Sequence, residues 1–346
     1  MKFAPCSKES LSAPTGKKVA IVGAGPAGLT AAGHLVCMGH EVVVYDMMPE
    51  PGGMIVFAIP DFRFNKEPIY RGIKELYNLG VKFVLNTKVG KDVALEELMR
   101  SYDAVVIATG TWKSSKLGIE GEDLNGVYYA LELLVDVGLS KRGYKPLHEI
   151  PSFEGKRVAV IGGGDTAVDA ARTLLRMNAG EVLIVYRRTK EASKAGPREI
   201  EKAENEGAKF IPLTQPIRFI GEQGQVVGIE AIKMRLGAPD SSGRPRPEPV
   251  PGSEHVIPVD SVVIACGERA TPPPSCEKLG LKLDKWGCII TDEYGRTNIE
   301  GVFAAGDVVT GPSRIGPAMV WGRKAAKAVD EYLRTGVWPS LKEDAP

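Results

Sequence analysis

The sequence predicts an α/β protein in which one parallel strand–helix–strand unit occurs twice, the second copy being inserted into the first. A glycine-rich turn between an apolar strand and a helix occurs in VAIVGAGPAGLTAA and again in VAVIGGGDTAVDAA. Each half also closes on an apolar strand with a small-residue turn, YDAVVIATG and then SVVIACG. Parallel strands need such crossover helices. The last apolar strand, in GVFAAGDVV, matches neither half, so we expect it to return to the first domain.

Further helices and strands are predicted from local periodicity and from turn residues. EVVVYD, VKFVLN and VLIVY are short apolar strands, and GEQGQVVGIEAIKMRL is typical of a hairpin arm. GAPDSSGRPRPEPVPGSE is predicted to be a polar, proline-rich loop at a solvated hairpin tip. Helical spacing is found at residues 27–38, 66–79, 197–206 and 317–333.

These elements predict a lead-in at residues 1–16, a discontinuous first domain at 17–120 and 268–346, and a second domain at 121–267. A chain of 346 residues is consistent with about two domains. The lead-in has no apolar core, so we expect it to be exposed and not to be a secretion signal.

Composition excludes several classes of function. The net charge of +1 gives no support for nucleic-acid binding, and no apolar run approaches the roughly 20 residues that span a bilayer. No two of the five cysteines form a C-x-x-C pair, which argues against a redox disulfide or an iron–sulfur site in this chain. Cys37 and Cys266 are expected to be core residues, and scattered thiols favour a cytoplasmic protein. The four histidines are not spaced as metal ligands, so no metal is expected.

The first glycine-rich turn contains Gly23, Gly25 and Gly28. In a G-x-G-x-x-G turn these positions permit the tight turn, the approach of a pyrophosphate and close helix–strand packing. The helix start then offers free N–H groups to the phosphates. Asp46 ends the next strand, where an acid can accept hydrogen bonds from ribose hydroxyls. The unit therefore predicts a Rossmann-like dinucleotide site.

The second turn differs from the first in the residues at the end of the next strand. Gly162, Gly164 and Ala167 form G-x-G-x-x-A, and the next strand runs into Arg187 and Arg188 with no acid. A guanidinium can pair with a 2′-phosphate, so this second Rossmann-like site favours NADP(H) over NAD(H). The alternative is that one or both arginines point into solvent.

Two features near the C-terminus extend the first site. Gly306 and Asp307 end an apolar strand, where a carboxylate could bind a polyol chain or instead cap a turn. The last helix is expected to begin near Pro317, and its start, with Ala318 and Met319, could face a developing anion.

Taken together, these motifs resemble those of the two-dinucleotide-binding flavoprotein family. Within it the chain is most similar to the small (beta) subunit of NADPH-dependent glutamate synthase and to related FAD subunits of ferredoxin:NAD(P) oxidoreductases and other iron–sulfur complexes. The resemblance covers about residues 17–333 and rests on GAGPAGL, PGGM, ATG, GGGDTAVDAAR, VYRR, PDSSGRPRPEPVPGSE and AAGDVVTGP.

The resemblance implies two cofactor sites. It implies FAD at the first, near Gly23, Gly25, Pro26, Ala27, Gly28, Asp46, Gly52, Gly53, Met54, Ala108, Thr109, Gly110, Gly306 and Asp307. It implies NADPH, with NADH as an alternative, at the second, near Gly162, Gly164, Asp165, Thr166, Ala167, Arg187, Arg188, Cys266 and Gly267. Hydride would pass between nicotinamide and flavin, so no catalytic side chain is expected, and Pro317, Ala318 and Met319 would form part of the flavin environment.

Three segments depart from the family. Only about 16 residues precede the first strand, so we expect the family's usual N-terminal cluster-binding domain to be absent. PDFRFNKEP at residues 60–68 differs from the usual R-L-P-[KR] pattern, and PSRIGPAMVWGRKAA contains unexpected Arg314 and Trp321. We therefore expect the iron–sulfur clusters to lie on a partner subunit. The alternatives are a free-standing NAD(P)H:acceptor reductase that uses a quinone or dye, and a non-catalytic flavin-bound structural or nucleotide-sensing module. The missing C-x-x-C excludes a thioredoxin reductase role.

Overall fold

The computed structural model describes residues 1–239 and 243–339 of the chain. Within them the strands are β1 Lys18–Val22, β2 Glu41–Tyr45, β3 Lys82–Val84, β4 Ala104–Ile107, β5 Lys113–Ser114, β6 Val127–Tyr129, β7 Arg157–Ile161, β8 Glu181–Val185, β9 Lys209–Ile211, β10 Thr214–Glu222, β11 Gln225–Pro239, β12 Pro245–Pro249, β13 His255–Pro258, β14 Ser261–Ile264, β15 Glu268–Arg269 and β16 Val302–Ala304. The helices are α1 Pro26–Cys37, α2 Met54–Phe57, α3 Glu67–Asn78, α4 Leu95–Ser101, α5 Ala130–Lys141, α6 Asp165–Arg176, α7 Pro197–Asn205, α8 Asp307–Thr310 and α9 Ile315–Thr335. Short 3₁₀ turns lie at Lys8–Ser10 and Leu147–Glu149.

The chain divides into two compact units. The first contains Met1–Phe57, Phe64–Lys113 and Glu268–Pro346, and the second contains Ala58–Arg63 and Ser114–Gly267. The crossing that we placed after residue 120 therefore lies after Lys113. The short segment at residues 58–63 groups with the second unit, although its neighbours in sequence belong to the first.

The first unit contains a five-stranded sheet in the order β16-β4-β1-β2-β3, and every strand pair in it is parallel. The final strand β16 pairs with β4, so the chain does return to its first sheet. Buried strands such as β4, with all four residues inaccessible, are typical of a parallel sheet that is covered on both faces. Helix α9 packs closely on α1: there is no room for a side chain at Gly322, since an added Cβ would lie 2.2 Å from the Ala27 carbonyl oxygen.

The second unit contains an equivalent sheet in the order β6-β14-β7-β8-β9, again wholly parallel. The glycine-turn strand is central in both sheets, β1 in one and β7 in the other. An antiparallel sheet comes next, in which β11 pairs with β10, β12 and β13. The proline-rich segment predicted to be a loop contains strand β12, because β11 extends far enough to pair with it. Residues 240–242 of that segment lie outside the described residues.

The expectation of an exposed lead-in holds for residues 7–10 and 12–14 but is wrong for the first few residues. The side chains of Phe3 and Ala4 are buried, and Gly33 of α1 approaches so closely that an added Cβ would lie 2.5 Å from the Phe3 carbonyl oxygen. A disulfide joins Cys6 to Cys37 with a Cα–Cα distance of 5.8 Å. Cys37 is therefore buried but is not a free thiol.

Candidate dinucleotide sites

The two glycine-rich turns have the same construction. Gly23 has a φ of +110°, and a Cβ there would lie 2.3 Å from the carbonyl oxygen of Ala108. Gly162 has a φ of +149°, and a Cβ there would lie 2.3 Å from the carbonyl oxygen of Ala265. In each unit, then, the turn after the central strand contacts the end of the strand beside it. In both units the carbonyl oxygen belongs to the first residue of the A-[TC]-G pattern.

The middle glycine of each turn faces open space. An ideal Cβ at Gly25 or Gly164 meets no atom within 4 Å, and each residue is the N-cap of the helix that comes next. Helix N-termini with open space in front of them are suited to a pyrophosphate. In contrast, a Cβ at Gly28 would lie 1.9 Å from the Gly23 carbonyl oxygen, so this glycine permits helix–strand packing.

The buried carboxylate of Asp46 organises the first turn. One carboxylate oxygen accepts a hydrogen bond from the Ala24 N–H at 2.5 Å, and the other accepts one from the Met48 N–H at 2.7 Å. Burial raises the pKa of Asp46 to about 6, and the two backbone hydrogen bonds oppose that rise. Each carboxylate oxygen can accept a further hydrogen bond, as a ribose hydroxyl would require.

The PGGM loop lies directly beside this turn. The Gly52 N–H donates to the Ala24 carbonyl oxygen at 2.8 Å, and a Cβ at Gly53 would lie 2.8 Å from the Gly25 Cα. Gly53 opens the short helix α2, which begins at Met54 and was not predicted from the sequence.

The first unit contains a buried polar atom whose environment fits a bound group. The Thr109 hydroxyl is buried and has no hydrogen-bond partner among the described residues. Thr109 belongs to the turn that begins at Ala108, next to Gly23, and the turn ends at Gly110 with a φ of +69°. Four other buried hydroxyls among the described residues also have no partner, so it is the position of Thr109 beside the first glycine turn that makes it consistent with a ligand polar group.

The remaining predicted residues of the first unit lie at helix starts. Gly306, with a φ of +77°, precedes α8, and the half-buried Asp307 is its first residue. Burial raises the pKa of Asp307, whereas hydrogen bonds from Ser313 to its carboxylate oppose that rise. Helix α9 begins at Ile315, two residues before the predicted start, because Arg314 is its extended N-cap. Of the three residues predicted near its start, Ala318 is buried, Met319 is half-buried and Pro317 is exposed.

In the second unit, α6 begins at Asp165, and Thr166 and the fully buried Ala167 lie in its first turn. An added Cβ at Gly163 would lie 2.5 Å from the Tyr186 ring, so the turn lies against the residue that directly follows β8. The Ser193 hydroxyl donates to the Gly163 carbonyl oxygen at 2.7 Å.

Cys266 and Gly267 come after the neighbouring strand β14. Cys266 was expected in the core but is exposed, because β14 ends at Ile264. Its thiol donates to the Ile161 carbonyl oxygen at 3.4 Å, and Gly267 has a φ of +105°.

The two arginines after β8 have different environments. Arg187 is exposed, whereas Arg188 is buried and its Nε donates to the Pro245 carbonyl oxygen at 2.9 Å. Both line a cavity of about 760 Å³ together with residues of β10, β11 and β12. The alternative in which the pair simply points into solvent therefore fails for Arg188.

The segment that differs from the expected family pattern contacts α6. Arg63 contacts three carboxylates of the second unit, with its Nη2 2.9 Å from Asp165, its Nε 3.2 Å from Asp169 and its Nη1 hydrogen-bonded to Glu199. Burial raises the pKa of Asp169 to about 7, although the charge of Arg63 opposes that rise. The preceding Phe62 ring lies under two guanidinium groups of the same unit, those of Arg172 at 4.4 Å and Arg176 at 4.1 Å. In the sequence, the only sign of these contacts was that residues 60–68 depart from the family pattern.

Within residues 1–239 and 243–339, no cluster of three or more His, Cys, Asp or Glu side chains is placed to bind a metal. Over the same residues, no helix is long and apolar enough to cross a membrane.

Comparison with known proteins identifies the family of the chain and several relatives. The family described as pyridine nucleotide-disulphide oxidoreductase matches residues 17–331. The chain is 42% identical to the glutamate synthase [NADPH] small chain of Halomonas elongata, over 92% of this chain and 68% of that protein. It is 41% identical to the NADP(+)-dependent formate dehydrogenase subunit beta of Moorella thermoacetica, over 97% of this chain and 47% of that protein.

Among solved structures, FprA from Mycobacterium tuberculosis superposes with a TM-score of 0.77 at 24% sequence identity, over 92% of this chain and 85% of that one. At this identity the likeness establishes the fold. The predicted α/β fold, with one parallel sheet in each of two units, is therefore confirmed.

Proposed function

Since the chain belongs to the pyridine nucleotide-disulphide oxidoreductase family, we propose that it is an FAD-dependent NAD(P)H oxidoreductase subunit that exchanges electrons with iron–sulfur clusters on a partner. The main support is that the chain builds the same glycine turn twice and surrounds the two turns differently. One has the buried acid Asp46 beside it, and the other has Arg187 and Arg188.

We assign FAD to the first turn. Gly25 and the N-terminus of α1 would receive the pyrophosphate, Asp46 the ribose, and Asp307 the polyol chain. The orphaned Thr109 hydroxyl supports a bound group at the adjacent turn. Bound FAD supplies hydride exchange with the nicotinamide ring and release of electrons one at a time.

We assign the nicotinamide dinucleotide to the second turn, with NADPH preferred to NADH. Gly164 and the N-terminus of α6 would receive its pyrophosphate. Arg187 and Arg188 would receive the 2′-phosphate, because a guanidinium pairs well with a phosphate and no acid stands directly after β8 to repel it. Arg63 would offset the negative charge of Asp165, which otherwise stands at the phosphate-binding helix start.

A partner subunit is supported by the relatives, which are subunits of larger enzymes. We propose that this partner carries the iron–sulfur clusters and that the complex is cytoplasmic. Because Cys6 and Cys37 form a disulfide, the free thiols that favour this location are those of Cys266, Cys276 and Cys288 alone. The chain covers only part of each relative, so the reaction of the whole complex, whether glutamate synthesis or another reduction, belongs to the proposal too.

The test is to measure which electron acceptors support turnover by the isolated chain. After FAD is added, we expect NADPH to reduce the bound flavin in a single turnover, and turnover with quinones, dyes or oxygen to stay slow. Adding the iron–sulfur partner that co-purifies from the native host should then raise the turnover rate. Fast turnover with a quinone or dye alone would favour the free-standing reductase, and a flavin that NADPH does not reduce would favour the structural or sensing module.

A further inference from the structure

The cavity beside Arg187 and Arg188 contains a third arginine from a distant part of the sequence. Its lining includes Arg246 of β12 and Gln215 of β10 as well as the two arginines after β8. Glu248 is the carboxylate of the lining, and its side chain is already paired with Arg235, 3.1 Å from Nε to Oε2. Among the described residues no ion pair of Arg187 or Arg246 is found. Among the described lining residues, arginines therefore outnumber carboxylates by three to one.

Strand β12 is held beside this cavity by contacts that other residues make to its backbone. The Arg188 Nε donates to the Pro245 carbonyl oxygen, the residue that begins β12, at 2.9 Å. Arg235 and Leu236 of β11 pair in register with Glu248 and Pro247 of β12. Arg246 thus lies on a strand that is held by Arg188 at its first residue and by the long strand β11 along its length.

The size and position of the cavity indicate what it binds. Its volume of about 760 Å³ lies within the range of roughly 300–1,000 Å³ that is typical of small-molecule sites. It begins where β8 ends, and β8 lies beside the glycine-turn strand, Val185 being in register with Ile161. The adenosine end of a dinucleotide bound at that turn would be expected at this edge of the sheet.

We propose that Arg246, supplied by the β11–β12 arm, completes a three-arginine pocket for the 2′-phosphate of NADPH and is a specificity-determining residue. This inference rests on the proposed function for the identity of the dinucleotide. It extends the site from the residues after β8 to the paired strands β11 and β12, which contain no glycine motif for nucleotide binding. Three guanidinium groups recognise a phosphate dianion, whereas the uncharged 2′-hydroxyl of NADH gains nothing from the third.

The experiment measures binding of adenosine 2′-monophosphate and adenosine 5′-monophosphate to the full chain by calorimetry. Arg246→Gln should weaken adenosine 2′-monophosphate about tenfold, as expected for loss of one hydrogen-bonded charge pair, and leave adenosine 5′-monophosphate unchanged. Arg218→Gln is the matched control, because Arg218 is an exposed arginine of β10 that pairs with Glu230 and is not part of the cavity lining. Arg246→Lys should give an intermediate loss, since lysine keeps the charge but not the planar fork.

The outcomes separate the inference from the proposed function. Equal affinities of the Arg246→Gln and unchanged proteins for adenosine 2′-monophosphate would overturn the inference, and so would an equal loss for both nucleotides. If NADPH still reduced the flavin in that case, the proposed function would stand. If binding of adenosine 2′-monophosphate depended on Arg246 while NADPH failed to reduce the flavin, the inference would stand and the proposed function would fail. Unchanged melting temperatures would show that each variant is folded.

Discussion

The guanidinium group of Arg63 lies 2.9 Å from the carboxylate of Asp165, the first residue of α6, across more than 100 residues of sequence. An acid at a pyrophosphate-binding helix start repels its ligand unless a cation offsets the charge. Arg63 provides that cation. It is also held by Asp169 and Glu199, so its position is fixed from three sides.

Arg63→Gln is therefore expected to weaken NADPH and NADH equally, because both contain the pyrophosphate. We expect KM to rise about threefold to tenfold for each, within the range for a partly exposed charge pair. Steady-state flavin reduction measured with both nucleotides checks this. Asp61→Asn is the control. Asp61 lies on the same segment as Arg63, but its ion pair is with Arg142, which is not part of α6. A loss confined to NADPH would contradict the role given to Arg63.

Gly23 and Gly25 should respond differently to the same substitution. Gly25→Ala adds a methyl group where the chain has no atom within 4 Å, so the fold should persist while bound flavin is lost. Gly23→Ala meets the Ala108 carbonyl oxygen and a positive φ, and it should lower the free energy of unfolding by about 1–3 kcal/mol or more. Flavin content per chain and the melting temperature of the flavin-free protein distinguish the two. An intact flavin content in Gly25→Ala would refute the site.

Arg187→Ala should raise KM for NADPH by about tenfold to a hundredfold and leave NADH nearly unchanged, since only NADPH carries the 2′-phosphate. Arg188→Ala should do the same and should also lower the melting temperature, because Arg188 is buried and holds the Pro245 carbonyl oxygen. Kinetics with both nucleotides and thermal unfolding measure these effects. Equal losses for NADPH and NADH would remove the 2′-phosphate assignment.

The pKa of Asp169 predicts a pH dependence of stability. Burial raises this pKa from 3.8 to about 7, so the folded protein binds a proton that the unfolded chain has released. The stabilisation is complete below pH 3.8 and is lost as pH rises through about 7. In Asp169→Asn the free energy of unfolding should fall less steeply between pH 4 and 7 (about the window set by the two pKa values). Chemical denaturation across that range tests it, and parallel curves for the two proteins would be evidence against it.

The Cys6–Cys37 disulfide ties the first residues to α1. Cys6→Ser should lower the free energy of unfolding by about 2–4 kcal/mol, because the link restricts the unfolded chain. Denaturation of the oxidised protein measures this. Reduced wild-type protein should match the variant, and a variant as stable as the oxidised protein would contradict the expectation.

Much of the fold could be predicted from the sequence, because glycine turns, apolar strands and helical spacing are local signals. Gly23 lies against Ala108, and Gly162 lies against Ala265. The glycine turn and the A-[TC]-G pattern of each half, which are distant in sequence, therefore meet in the fold. The features that the sequence did not predict depend on contacts between distant segments. Neither the disulfide of Cys6 nor the ion pairs of Arg63 has a periodic pattern.

The same reason applies to Arg246. The proline-rich segment that contains it was predicted to be a loop, since its prolines and polar residues are typical of turns. Pairing with the long strand β11 instead makes it strand β12 and places Arg246 in the lining of the cavity. A partner strand far along the chain is not visible in local composition.

We propose that one chain holds FAD at its first turn and accepts hydride from NADPH at its second. An anaerobic titration of the FAD-loaded chain with NADPH, monitored by visible absorbance, tests it directly. About one equivalent of NADPH should bleach one bound flavin. The Gly164→Val protein, in which the open space at the second turn is filled, should retain the flavin but no longer respond to NADPH. A flavin that stays oxidised in the unchanged chain, or one that the Gly164→Val protein reduces equally well, would contradict it.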